Sequence, residues 1–471
     1  MKKSFKLLAL VVIVVMCFAL LPAGCNSNSG GSSSAPSNSP SSAPPAAPSN
    51  SPSSEPSAAP SAAPSAAPSS SPPASAAGEK SEILIGYVAP FTGPLAFFTE
   101  QYPWSSKECL DAINADGGIY IEAYGKKLPV RVITADSESD PNRASEVATS
   151  LVTNNDLDLL IGAWTPDTSL PVSAVAERYQ IPALMENSPA EAWFTGGPYE
   201  WATAMMFYNG IIVDAFTQAL INFENAHPSN KNVGFVFDSG TDGLMFADSY
   251  GKALPQAGFN VVDPGRFPAS TNDYTSIINQ LKSADCDIVI ANMLTPDFTT
   301  FWGQCQQLGY IPKVMQIGRG EEFMSAVLAL GDTQGHGIMS ETLWDRSLPY
   351  KSPLLNMTCS ELADKYETEV QKPYTYCLGN DVTIFEIVND TFSRCKDLNR
   401  DTVMAALLAT DMDTVGGHMS FDSNRVAALP GFIIQWVIGD KWTYEPVVVA
   451  STEPGIPVQI PIVIPNNTTG N

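Results

Sequence analysis

Two kinds of hydrophobic pattern divide the chain. One unbroken apolar run, Leu7–Leu21, stands alone near the start. From Glu82 onward, short near-continuous apolar runs alternate with longer stretches whose apolar residues recur at helical spacing. The runs Glu82–Val88, Leu128–Ala135, Leu157–Gly162 and Ile181–Met185 predict strands, and helices are expected between them at about Thr99–Ala115, Asn142–Asn154 and Thr168–Arg178. The pattern restarts after Tyr208. Helices at about 209–222, 244–256, Tyr274–Ser283 and 297–308 alternate with strands Asn232–Asp238, Asn260–Val262, Asp287–Asn292 and Lys313–Ile317. Helices at 358–370, 378–394 and 400–408 follow, then Phe432–Ile438, Gly439-Asp440 and Trp442 onward, a hairpin signal. Strands without polar alternation, separated by helices, are parallel strands covered on both faces. Two successive α/β units of similar size predict two doubly wound, Rossmann-like lobes.

The isolated run at the start changes the picture of where this fold works. Lys2, Lys3 and Lys6 precede it and Leu-Pro-Ala-Gly-Cys follows, ending at Cys25. Fifteen apolar residues fall short of the roughly 20 that span a bilayer. A basic start, an apolar core and small residues before a Cys read as an export signal. The segment resembles a bacterial lipoprotein signal, 1–24, with Cys25 as the lipidated first mature residue. Pro22 stands where such signals usually carry Leu. Residues 26–78 hold twelve Pro, one charged residue (Glu55) and no aromatic. A segment so poor in apolar surface cannot offset its chain entropy, so 25–78 is expected to be a disordered Ser/Pro/Ala tether.

Charge and cysteine usage narrow the function classes. The net charge is −24, and near −27 once the three leader lysines are set aside. Such acidity argues against nucleic-acid binding and against adhesion to anionic lipid. Six cysteines lie beyond Cys17 and Cys25, at 109, 286, 305, 359, 377 and 395. Outside the cytoplasm six cysteines can form three disulfides, and Cys359 with Cys377 is the favoured pair. The three histidines, His227, His336 and His418, have no metal-ligand spacing, so neither a metal nor a cofactor is expected.

Open α/β sheets bind ligands beyond the carboxyl ends of their strands. Here those ends carry Phe91-Thr92-Gly93-Pro94 with Phe97 and Phe98, then Trp164-Thr165-Pro166-Asp167-Thr168, then Asn187-Ser188-Pro189-Ala190 with Trp193 behind. In the second unit they carry Asp238 to Gly243, Asn292 to Asp297, and Gly318-Arg319-Gly320-Glu321. Aromatics mixed with hydroxyls and helix starts suit a small polar ligand with an apolar body.

An ordered set of short segments completes the reading: IGYVAPFTGPLAFF at 85–98, NADGGI at 114–119, ADSESDP at 135–141 and LLIGAWTPDTSLPVSAVAERYQIPAL at 159–184. VGFVFDSGTDG at 233–243, GGHMSFDSNR at 416–425 and IIQWVIGDKW at 433–442 follow. Taken together they resemble the type I periplasmic binding protein family, in its Leu/Ile/Val-binding branch, over about residues 80–450. The resemblance implies two lobes joined by three crossings, near Thr203–Phe207, His336–Glu341 and Arg425–Phe432. Lobe 1 would comprise 79–204 and 339–427, lobe 2 would comprise 205–338 and 428–465, and 466–471 would be a tail. It further implies closure around a small amino acid or related carboxylate, and delivery by a lipid-anchored, extracytoplasmic monomer to an ABC permease.

The family's site maps onto this chain with departures. Phe98 matches the aromatic after Gly-Pro. The carboxylate cradle maps to Trp164–Thr168, where Pro166 removes a backbone donor and leaves the Thr165 and Thr168 hydroxyls. Trp164 is expected to touch the ligand. A second cradle maps to Ser188 and Ala190, at a helix start. Asp242 replaces an expected Tyr. The acid that pairs with a ligand ammonium is Glu321 or its neighbour Glu322. Arg319 intrudes beside it and favours a ligand with an extra anionic group, because its planar fork grips carboxylates. A sensor of the same fold without transport is the main alternative. An exported α/β enzyme is disfavoured, since no Gly-x-Ser-x-Gly elbow, Walker A segment or dinucleotide glycine fingerprint occurs.

Overall fold

The computed structural model describes residues 80–331, 333–451, 454–459 and 463–465. The expected leader 1–24, Cys25 with its linker 25–78, and the tail 466–471 lie outside the described residues. Among the described residues no helix is long and apolar enough to cross a membrane.

All seven residues of the strand Ile83–Ala89 are buried, as a strand covered by helices on both faces requires. It lies between Val130–Asp136 and Leu159–Ala163. Ala183–Pro189, Ala202–Phe207 and Val426–Ala428 extend the sheet on the second side, all parallel. Strand order therefore reverses next to Ile83–Ala89, and a crevice opens there at the carboxyl ends of the strands. The second sheet runs Arg266–Phe267, Asn232–Asp238, Ile288–Asn292, Val314–Gly318, Met339–Thr342, Phe432–Ile438, Tyr444–Ser451, with Asn260–Val262 beside Asn232–Asp238. The expected hairpin is present, as Phe432–Ile438 pairs antiparallel with Tyr444–Ser451.

Local chemistry starts the helices where the sequence places them. Asp140 caps Pro141–Asn154 by accepting from the Arg143 backbone N–H at 2.8 Å, with Pro141 where no donor is needed. Thr358 and Glu361 form a reciprocal capping box on Cys359–Val370. Cys377–Arg394 is buried nearly all round and packs against Tyr102–Asn114, which brings Asp381 and Glu386 into the interior.

Two sequence expectations need correction here. Met205–Phe207 stay hydrogen bonded in the first sheet, and Met339–Thr342 belong to the second, so the boundaries at 204/205 and 338/339 each move a few residues later. The chain passes between the sheets after Phe207, after Thr342 and after Ala428. The expected disulfides, including Cys359–Cys377, are not formed: all six described cysteines are buried free thiols. Cys359 and Cys377 each open a different helix, and the Cys359 thiol instead donates to the Val415 carbonyl at 3.4 Å. Burial pushes the thiols of Cys286 and Cys395 up to about 11 and that of Cys359 to about 12, which makes them unreactive. Reductant is therefore expected to leave the melting temperature unchanged, whereas losing a structural disulfide would cost about 2–5 kcal/mol. A fall in melting temperature with dithiothreitol in a thermal scan would refute the free-thiol assignment.

Candidate functional site

The first wall of the cleft is built at the ends of the first sheet's strands. Beyond Ile83–Ala89, Phe98 turns inward and stacks on Trp164, ring centres 5.8 Å apart. Beyond Leu159–Ala163, the helix Thr165–Tyr179 begins without a side-chain cap, so its free N–H groups give this wall a positive end. Thr165 holds φ 61, a left-handed conformation rare for a β-branched residue, and its buried Oγ1 has no partner among the described residues. Asn187, Ser188 and Pro189, at the end of Ala183–Pro189, complete the wall with Phe207. Asn187 is also left-handed, at φ 43.

The second wall is charged. Arg319 follows Val314–Gly318 at φ 62. Its Nη2 forms an ion pair with Asp238 Oδ2, its Nε donates to Asn292 Oδ1 at 2.8 Å, and Asp242 Oδ2 lies 3.5 Å from Nε. Burial pulls the guanidinium pKa down, but the charges of Asp242, Asp238 and Asp167 outweigh it and hold the group above its ordinary value. Asp242 sits in the first turn of Thr241–Gln256; burial pushes its carboxyl up to about 6 against the pull of Arg319, and its Oδ1 has no partner among the described residues. Glu322 takes the Arg319 backbone N–H at 2.9 Å and is pushed by burial to about 7. Glu341 accepts from Gln316 Nε2 at 3.1 Å and is raised well above the usual carboxylate range by burial and by the charges of Glu322 and Asp242.

Between the walls lies a narrow cleft with about 30 Å³ of free internal space. Tyr376, from the turn before Cys377–Arg394, donates its hydroxyl to Glu322 Oε2 at 2.6 Å. Phe323 stacks on Phe97 at 6.1 Å and on Tyr376 at 5.8 Å, and meets Phe98 edge-on at 5.1 Å. The two walls thus touch beside the cleft through the Phe323 ring and through hydrogen bonds that include Tyr376 to Glu322 and Ser325 to Glu100, the latter at 3.4 Å.

Beneath the first wall, the carboxyls of Glu186 and Asp381 are fully buried neighbours, and the charge of Asp381 helps to raise Glu186. Tyr87 donates to Glu186 at 2.9 Å, while Gln101 and Ser105 donate to Asp381 at 3.0 and 2.7 Å. Burial pushes Asp381 to about 7 and Glu186 well above its ordinary value. Glu386, one helical stretch on, is also pushed to about 7 by burial. Raised folded-state values mean that the native protein holds protons the unfolded chain releases above about pH 4. This contribution is complete below that pH and is lost as pH climbs through 6–7. The ligand-free protein is therefore expected to melt higher at pH 5 than at pH 8, losing about 1.4 kcal/mol per pH unit for each such proton. A flat or rising melting temperature across that range would refute it.

Of the residues singled out from the sequence, Phe98, Thr165, Ser188, Asp242 and Arg319 line the cleft together. Trp164 is fully buried one layer behind, stacked on Phe98 and edge-on to Tyr376 at 6.2 Å. Thr168 and Ala190 are buried and stand outside the lining. Glu321 is also outside it; the lining acid is Glu322, while the Glu321 backbone carbonyl accepts from Trp436 Nε1 at 2.6 Å. The guanidinium of Arg319 is already engaged within its own wall, by Asp238 and Asn292 with Asp242 close by. Trp193 packs away from the cleft, stacked on Tyr199 at 4.2 Å. Glu341, Tyr376, Phe207 and Phe246 also line the cleft and were not singled out from the sequence. Glu341 lies in a strand that read as a crossing, and Tyr376 comes from an element remote in sequence.

A family model described as periplasmic binding protein matches residues 82–441. The chain is similar to Leu/Ile/Val-binding protein homolog 7 of Brucella suis biovar 1 (strain 1330), 23% identical over 404 residues, covering 82% of this chain and 96% of that one. Among solved structures, it resembles the branched-chain amino acid transporter substrate-binding protein LivJ of Streptococcus pneumoniae in complex with isoleucine. That likeness has a TM-score of 0.66 at 17% identity and covers 78% of this chain and 99% of that one. A leucine-binding protein from Thermotoga maritima MSB8 gives a TM-score of 0.63 at 15% identity, covering 77% and 97%. At such identities the structural likeness shows the shared two-sheet α/β fold.

Proposed function

The chain belongs to the periplasmic binding protein family, and from that premise we propose that it captures a small amino acid or related carboxylate in the cleft and delivers it to an ABC importer. It is a binding protein of the branched-chain amino-acid transporter type, not an enzyme. One observation carries the ligand reading: the cleft sets the hydroxyl of Thr165, beside an uncapped helix start, across from Asp242 Oδ1, and neither atom has a partner among the described residues. A ligand carboxylate suits the first and a ligand ammonium the second. Binding closes two lobes, each built on one sheet, by differential contact with both walls. In the extracytoplasmic setting that the family implies, Cys25 is the lipid anchor, 25–78 the tether, and the mature protein a monomer that docks on a membrane permease.

Isothermal calorimetry against a panel of amino acids tests this reading. At least one amino acid is expected to bind. Thr165→Ala is expected to weaken that binding by about 1.5–3 kcal/mol, the worth of one hydrogen bond to a charged group. Silence across the whole panel would overturn the ligand class. Unchanged affinity in Thr165→Ala would remove the first-wall cradle from it.

A further inference from the structure

Resting on that reading, we infer that the ligand carries a net positive charge, as an amino acid with a basic side chain does. The charge balance of the cleft carries the inference. Three carboxylates, Asp242, Glu322 and Glu341, line it, and Asp238 lies directly behind. Arg319 is the one cationic side chain among the lining residues, and Asp238 and Asn292 already engage its guanidinium, with Asp242 close by. The opposite wall supplies hydroxyls, an amide and aromatic rings, so no cation arrives from there.

Asp242 is buried, lines the cavity and keeps Oδ1 without a partner among the described residues. Gln316 meets Glu341 at Oε2. A zwitterion with an apolar side chain brings one ammonium and one carboxylate, and leaves the surplus of negative charge where it was. An acidic side chain would meet like charges in a site shielded from water. A second cationic group answers the surplus, and the aromatic residues Tyr376 and Phe246 line the cleft beside it. The raised values of Asp242 and Glu322 fit a site that holds protons until a cation replaces them.

Calorimetry on the full chain at pH 7.5 with L-lysine, L-leucine, L-glutamate and cadaverine tests the inference. L-lysine is expected to bind at least about tenfold tighter than L-leucine, and L-glutamate weaker than both. Asp242→Asn and Glu341→Gln are expected to narrow the lysine–leucine gap to about threefold or less. L-leucine binding as tightly as L-lysine would overturn the inference and leave the amino-acid reading intact. A lysine advantage that survives both variants would overturn the assignment to these carboxylates. If no amino acid binds, the amino-acid reading falls and cadaverine decides: its binding keeps the cationic ligand without the carboxylate cradle, and its failure overturns the inference too.

Discussion

Replacing Arg319 by alanine is expected to remove about 3–5 kcal/mol of folding stability, the usual consequence of deleting one partner from a buried charge network. The guanidinium stands among Asp238, Asp242 and Asn292, all buried. Without it two carboxylates lose their counter-charge. Asp238 keeps a hydrogen bond from the Gly240 backbone at 2.9 Å, but Asp242 already has one unpartnered oxygen. Losing the guanidinium also removes the pull that holds the Asp242 carboxyl down against its burial, so its folded-state value, already about 6, rises further above the unfolded one and the group escapes the penalty by staying protonated at low pH. The deficit of the variant is therefore smaller at pH 5 than at pH 7.5. Urea denaturation at the two pH values checks both claims. A loss below about 1 kcal/mol at pH 7.5, or a larger loss at pH 5, would refute the network as described. Arg319→Lys should recover only part of the loss, because a point charge does not reproduce the fork that reaches Asp238 and Asn292 together.

The second large effect is expected from Phe323→Ala. The ring is buried and contacts Phe97, Phe98 and Tyr376, all across the cleft from the loop that carries it. Truncating a buried phenylalanine removes about 3–5 kcal/mol of contact and transfer energy. Most core truncations spend that loss on folding stability alone. Here the contacts join the two walls, so part of the loss should appear as opening. The ligand-free variant should show a larger radius of gyration in solution scattering, and its ligand affinity should fall by about tenfold or more. Lower stability with unchanged scattering and affinity would mean that Phe323 serves the core and not closure.

Much of the fold was legible because buried parallel strands write themselves as continuous apolar runs. Ile83–Ala89, Asn232–Asp238 and Ile288–Asn292 could hardly be read otherwise. Met339–Thr342 was not legible as a strand, since four residues of mixed polarity carry no period of their own and are strand only through their neighbours. The lining residues Phe98, Thr165, Ser188, Asp242 and Arg319 were legible from their place at strand ends. Their partnerships were not. Nothing near Arg319 in sequence announces that Asp238, 81 residues earlier, will occupy its guanidinium. The choice between Glu321 and Glu322 turned on one residue's rotation within a loop, and cysteine spacing carried no information about distance between helix starts.

Three of the lining residues, Thr165, Asn187 and Arg319, hold left-handed backbone although none is glycine. Each such conformation costs about 1–3 kcal/mol and persists only where the surroundings dictate it. The main chain around the cargo is thus a fixed mould, and selectivity resides in the side chains hung on it. For anyone wishing to retune this protein as a biosensor, substitutions at Phe207, Phe246 or Leu343 are the open route. Lengthening or grafting the loops that carry the three strained residues would break the mould before it changed the preference.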